Sequence, residues 1–190
     1  VKESFELFGG DTVESYLLFT NPHKYGHSID VRFTPIRVVC NNTLSLSLGT
    51  KSEKMVKVSH RNEFDGDSVK ETLGIAKEKL AKYKEMASYL GSKRYSEESI
   101  VDYFTRVFPV TGSKKEISKN AQIALDVIDQ QPGAEFAEGS WWQAFNAVTY
   151  MTDHKMGRSR DSRLTSAWYG LNRVKKERAL DLAVEYAEVA

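Results

Sequence analysis

The first third of the chain alternates between apolar and polar side chains. Residues 29–34 alternate strictly, and residues 13–20 are rich in aromatic and branched side chains. A repeat of two is typical of a β-strand with one buried and one solvated face. The turn signal Asn21-Pro22 lies between the two runs, so together they predict an antiparallel β-hairpin. Pro35 cannot donate a backbone hydrogen bond and therefore predicts a sheet edge or a bulge.

Shorter elements are predicted between the hairpin and residue 60. The second strand continues to Cys40, and Asn41 to Thr43 offer side-chain caps for a short helix over residues 44–48. Residues 55–60 are again apolar and branched, and they predict a further short strand.

From residue 68 onward the apolar residues recur every three or four positions. Two apolar positions per heptad between Val69 and Leu90 predict an amphipathic helix of about 22 residues that ends at Gly91. So narrow a seam suits one sheet face or one partner helix, and the pattern leaves open whether that partner belongs to the same chain. Further helices are predicted to begin at Ser96, Ser113 and Ser140, and a last one to run from about Asp161 to Val189.

The order of the elements, strands first and helices later, predicts an α+β fold. We expect an N-terminal antiparallel hairpin and sheet over residues 1–60, followed by the long amphipathic helix and a helical C-terminal half over residues 61–190. A length of 190 residues suits a single domain. Because the sequence starts at Val1 rather than at Met, we expect it to be the ordered part of a longer chain.

The composition narrows the class of protein. Hydrophobic residues make up 41% and charged residues 28%, which favours an ordinary globular core over disorder. The single cysteine excludes an internal disulfide framework and a cysteine-based zinc finger. No apolar run approaches the roughly 18 residues that a membrane span needs, so we expect no membrane segment.

A formal net charge of +1 hides a strong asymmetry along the chain. Residues 154–178 contain eight basic and two acidic residues, a local charge of +6, whereas residues 179–190 sum to −3. Arginines in a loop that leads into a helix favour phosphate binding, through guanidinium groups and free backbone N–H groups; a solvated helix face is the alternative. The candidate nucleic-acid contacts are Lys155, Arg158, Arg160, Arg163, Arg173, Lys175 and Lys176, with Arg32 and Arg37 in the strands and Lys114 and Lys115 at the third predicted helix.

The sequence holds no complete catalytic or metal motif. His23 and His27 lie four residues apart in a loop, with no carboxylate or thiol beside them to complete a metal site. Cys40 follows two valines and predicts a small buried side chain. Phosphate-binding loops, dinucleotide fingerprints and nucleophile elbows are absent. We therefore expect no catalytic residue, no metal and no other cofactor, although a hydrolase built around His60 and His154 stays open.

Two stretches of the sequence resemble a known family. Residues 31–44, which include Arg37-Val38-Val39-Cys40-Asn41-Asn42-Thr43-Leu44, and residues 139–149 resemble the phage/plasmid-like protein family, a domain of unknown function (DUF932). The residues that carry the likeness are Arg37, Cys40, Asn41, Asn42, Thr43, His60, Trp142, Asn146 and His154. The resemblance implies a phage, plasmid or integrated element and a bacterial cytoplasm, and it implies no reaction.

Two classes of function fit these observations. The first is a nucleic-acid-binding protein of a phage or mobile element, which binds or anneals single-stranded DNA in recombination or replication and assembles into homo-oligomers. Aromatic residues flank the basic segment and can act as a stacking platform or as core; they are Trp141, Trp142, Tyr150, Trp168 and Tyr169. The alternative is a protein-interaction factor without catalytic activity, such as a host-defence inhibitor or an assembly protein, which uses the narrow helix seam as its interface.

Overall fold

The computed structural model describes residues 4–20, 29–37, 42–43, 55–58, 66–110 and 117–190. Its strands are β1 (Ser4–Glu6), β2 (Thr12–Thr20), β3 (Ile29–Arg37), β4 (Asn42–Thr43) and β5 (Met55–Val58). All described pairings are antiparallel, in the order β1-β2-β3, and both β4 and β5 pair with β3. The α+β class and the order of sheet and helices are thus confirmed.

The predicted hairpin is the long β2–β3 pair. Its register runs from Val13 opposite Arg37 to Thr20 opposite Asp30. Pro35 lies opposite Ser15, and the described pairings on the other side of β3 involve only residues 29–32 and 36–37. Pro35 therefore lies at a local edge of β3, where the missing N–H interrupts none of the described β4 or β5 pairs.

The segment after β3 differs from the prediction in part. Asn42 and Thr43 pair with Arg37 and Ile36 as β4 rather than capping a helix. The short helix expected over residues 44–48 lies outside the described residues, as do Cys40 and Asn41. The strand predicted over residues 55–60 is present as β5.

The helices are α1 (Gly66–Ser92), α2 (Glu97–Val107), α3 (Lys119–Val127), α4 (Trp141–Tyr150), α5 (Arg160–Tyr169) and α6 (Leu171–Glu188). The predicted caps Ser96 and Ser140 accept hydrogen bonds from the N–H of Ser99 and Gln143, which fixes the starts of α2 and α4. Helix α3 is capped by Ser118, later than predicted, and Ser113 lies outside the described residues.

The single C-terminal helix predicted from Asp161 to Val189 is wrong. Two helices, α5 and α6, meet at Gly170, whose φ of −114° and ψ of −157° are extended rather than helical. Gly170 also packs closely, because a Cβ at this position would lie 3.0 Å from Ser166 Cα. The break lets α6 fold back against α5.

Helix α4 lies at the centre of the helical half. It is apolar on most of its circumference, a pattern typical of a fully buried helix, and every residue from Trp141 to Thr149 is buried. Helices α1, α3 and α6 pack against it, and so does β4. In the described half of α1, the seam residues Leu80, Tyr83, Ala87 and Leu90 are buried within the chain.

Candidate functional site

Two of the family-motif residues meet a third residue in a buried polar cluster, here called the Asp11 clip. Arg37 Nε donates to both carboxylate oxygens of Asp11, at 2.8 and 2.9 Å, and Trp142 Nε1 donates to Asp11 Oδ2 at 3.1 Å. The guanidinium also donates to the carbonyl oxygens of Pro132 and Gly133, at 3.3 and 2.7 Å. The clip joins β3 to α4 and to the segment before it.

The clip gives Arg37 a role that the sequence did not indicate. Its side chain is 1% exposed and that of Asp11 is 0% exposed. A guanidinium that is enclosed in this way cannot reach a nucleic-acid backbone, so the prediction that Arg37 contacts nucleic acid is wrong in this structure. Asp11 was not a candidate, because a lone aspartate after Gly9-Gly10 looks like a turn residue.

Asn146 lies one helical turn after Trp142, on the same side of α4. Its Nδ2 donates to Trp142 O at 2.8 Å, a bond within its own helix. Thr149 Oγ1 in turn donates to Asn146 O at 2.9 Å. Helix α4 contacts β4, the strand of the motif residues Asn42 and Thr43. The two motif stretches, distant in sequence, are therefore neighbours in the fold.

A second buried polar cluster lies at the other end of α4, where the helix widens into a π-helical turn, Met151–Lys155, here called the π-turn. Lys176 Nζ donates to Asp153 Oδ1 at 2.9 Å, with both side chains buried. Asn172 Nδ2 donates to Thr152 O at 2.7 Å. Turns of this kind recur at functional sites, and here the two α6 side chains hold its backbone and its carboxylate.

The burial of Lys176 decides its role. Desolvation lowers the pKa of its ammonium group, and the Asp153 carboxylate opposes that shift. Because Lys176 is enclosed and paired, the prediction that it contacts nucleic acid is wrong in this structure. Its helical spacing carried the signal, since Asn172, Ala179 and Ala183 share its side of α6 and are buried as well.

The exposed cations lie around the loop that follows the π-turn. Lys155, Arg158 and Arg160 are exposed, and Arg163 is half-buried. We call these four residues the basic surface. Gly157 shapes this loop, because its φ of 131° is a conformation that other residues rarely adopt. The absence of a Cβ at Gly157 also makes room for Arg163 Cγ, which would lie 2.7 Å from such a Cβ.

Aromatic residues divide between the core and this surface. Trp141 and Trp142 are buried and belong to the core. The ring of Tyr150 lies 5.1 Å from that of the exposed His154, and Lys155 Nζ lies 5.5 Å from the Tyr150 ring centroid. Tyr169 is 42% exposed. The expected platform is thus reduced to Tyr150 and Tyr169, with Trp168 half-buried beside them in sequence.

The remaining candidates are scattered. Arg173 is half-buried and pairs with Glu177 at 2.9 Å, Lys175 is half-buried, and Arg32 lies in β3 opposite Leu18. Outside the described residues lie Lys114, Lys115 and His60. The structure therefore brings together four of the candidate cations, Lys155, Arg158, Arg160 and Arg163.

Tests for other kinds of site give limited results. Among the described residues, no group of three or more His, Cys, Asp or Glu side chains is placed to hold a metal ion. Within the same part of the chain, no helix has the length and apolar character to cross a membrane.

The fold and these two polar clusters define an α+β protein whose motif residues meet across the sheet and the central helix. Residues 1–168 match the family model described as domain of unknown function (DUF932), so the chain belongs to that family. No curated protein and no solved structure shows a significant match to it.

Proposed function

We propose that the protein binds single-stranded nucleic acid, with single-stranded DNA as its first ligand, through the basic surface of Lys155, Arg158, Arg160 and Arg163. The proposal includes the setting that the motif resemblance implies, recombination or replication of a phage or mobile element in a bacterial cytoplasm. It also includes assembly into homo-oligomers.

One observation carries the proposal: four cations are exposed or half-exposed within nine residues, whereas the nearest preceding carboxylate is neutralised inside the protein. Asp153 pairs with the buried Lys176, so its charge does not offset the cations. Asp161, the acidic residue within the loop sequence, lies in the first turn of α5. An acidic side chain there is stabilised by the helix dipole. The net field above the loop is therefore positive.

The geometry of the loop suits a flexible anionic strand. Arg158 and Arg160 flank Ser159, the cap of α5, so their guanidinium groups begin from a backbone fixed by the reciprocal hydrogen bonds of Ser159 and Ser162. Arginine forks bind phosphate oxygens in a bidentate manner. Bases of a single strand can stack on nearby exposed rings, for which Tyr169 is available at 42% exposure.

Binding is measured by fluorescence anisotropy with a labelled oligothymidylate at several salt concentrations. Each contacted phosphate of a single strand contributes about −0.7 to the slope of log K against log salt, so four contacts predict a slope of about −3. Arg158→Gln/Arg160→Gln removes two contacts and should reduce the slope to about −1.5, with weaker binding at low salt.

The matched control removes two exposed cations elsewhere. Lys82→Gln/Lys84→Gln makes the same change in net charge on α1, where both side chains are exposed. We expect this control to bind like the wild type. A flat salt response of the wild type, or equal losses in both double variants, would show that the basic surface is not a nucleic-acid site. A duplex of the same length serves as competitor and tests the preference for single strands.

A further inference from the structure

Helix α6 presents an outer face that the chain itself does not cover. Leu171 is 72% exposed and Val174 is 50% exposed, and they are followed on the same face by the exposed residues Arg178, Asp181, Glu185 and Glu188. These six positions are spaced by three and four residues in turn, so they form one continuous stripe. The opposite face, with Asn172, Lys176, Leu180 and Ala187, is buried.

The charge along this stripe changes sign at its middle. Its first half carries Arg178, with Lys175 beside it, and its second half carries Asp181, Glu185 and Glu188. A stripe that is basic and apolar at one end and acidic at the other is complementary to itself when two copies run antiparallel. A two-fold interface of this kind uses the same patch on both copies.

We infer that a second copy of this chain docks on the outer face of α6, so that two α6 helices pair antiparallel about a two-fold axis between Ala179 and Leu180. Arg178 of each copy then faces Asp181 of the other, and the pair occurs twice. Val174 faces Glu185, whose carboxylate is already engaged by Arg106 at 2.9 Å within its own chain. Leu171 faces the end of the other helix, where Val189 is 84% exposed.

The geometry allows the whole helix to take part. An α-helix of 18 residues is about 27 Å long, since each residue adds 1.5 Å. The apolar contact is limited to the two ends of the stripe, so complementary charge determines the orientation and register of the helix pair. The interface does not depend on nucleic-acid binding, and the basic surface is formed by residues outside α6.

Sedimentation equilibrium of the protein without nucleic acid tests this inference by charge reversal. The wild type should form dimers, more weakly at high salt because exposed charge pairs are screened. Arg178→Asp places two acidic residues opposite each other, and Asp181→Arg places two basic residues opposite each other. We expect each variant alone to dimerise at least about 10-fold more weakly, since like charges in contact oppose association.

An equimolar mixture of the two variants is the decisive sample. In the mixed dimer the aspartate introduced at position 178 of one copy faces the arginine introduced at position 181 of the other. The second contact joins the unchanged Asp181 of the first copy to the unchanged Arg178 of the second. Both contacts therefore join opposite charges, and we expect wild-type affinity to return, a recovery that misfolded variants cannot show.

The control is Lys82→Asp, an equal charge change on α1, which should dimerise normally. A wild type that stays monomeric at all concentrations, variants that dimerise normally, or a mixture without recovery would each overturn the inference. A monomeric wild type would leave the anisotropy test of nucleic-acid binding intact.

Discussion

Replacing Asp11 by Asn tests the Asp11 clip, because it keeps the shape of the side chain and removes its charge. Asp11 accepts two hydrogen bonds from Arg37 and one from Trp142, at 2.8 to 3.1 Å. With the carboxylate gone, the Arg37 guanidinium stays enclosed at 1% exposure. Its other partners are the carbonyl oxygens of Pro132 and Gly133, which carry no formal charge.

The expected cost follows from this enclosure. Removing one partner of a buried ion pair costs about 3–5 kcal/mol, because the remaining charge is desolvated without compensation. Domains are stable by only about 5–15 kcal/mol in total, so Asp11→Asn should remove a large fraction of the folding free energy. For a chain of this size each kcal/mol corresponds to roughly 2–4 °C in Tm, which predicts a decrease of about 6–20 °C.

Urea unfolding, followed by far-UV circular dichroism and by tryptophan fluorescence, measures this change. The matched control is Glu78→Gln, which removes a carboxylate from the exposed Glu78–Lys82 pair on α1. Exposed pairs contribute only about 0–1 kcal/mol, so this variant should unfold almost like the wild type. A double-mutant cycle with Arg37→Met should give a coupling energy of about 2 kcal/mol or more. A cost of Asp11→Asn below about 1 kcal/mol, or additive effects in the cycle, would refute the reasoning.

Two further variants test the other buried polar groups. Lys176→Met removes the Lys176 partner of the buried Asp153 and should cost about 3 kcal/mol in chemical unfolding, with faster hydrogen exchange in the π-turn; unchanged exchange there would contradict the assigned role. The pKa of Lys176 is lowered on folding, so this group's contribution to stability rises as pH approaches 10.5, and Lys176→Met should lose that rise. Tyr103 is fully buried and donates to Ala179 O at 3.0 Å, and burial raises its pKa well above 10.0. Its contribution is therefore present below pH 10 and lost as pH rises further, so Tyr103→Phe should cost about 1 kcal/mol at pH 7 and flatten the alkaline loss of stability seen in unfolding curves; an unchanged alkaline slope would argue against it.

Local signals in the sequence identified most elements of the fold. The β2–β3 hairpin follows from alternation and a turn signal, and the starts of α2 and α4 follow from serines whose side chains bond the backbone three residues ahead. These interactions span few residues, so a pattern within a short window contains them. The break at Gly170 escaped prediction because apolar spacing continues on both sides of it, and a glycine within a helix costs only about 1 kcal/mol.

The polar clusters could not be predicted in the same way. Asp11 is separated from Arg37 by 26 positions and from Trp142 by 131, so no local pattern relates the three. Lys176 stands within a run of cations that looks solvated, and its burial follows from how α6 packs on α4. In both cases the prediction counted the cation as surface charge, and tertiary packing had enclosed it with a carboxylate.

The two clusters lie at opposite ends of the central helix and constrain it in different ways. The Asp11 clip binds the first turn of α4 to the sheet through Trp142, whereas Asp153 binds the turn after α4 to Lys176 of α6. The motif residues Arg37 and Trp142 therefore serve the attachment of the sheet, and their contacts contain no exposed charge. The exposed cations begin just beyond the second cluster, at Lys155. Because α4 is buried along its length, the two clusters fix where its end lies, and the basic surface is built on that end.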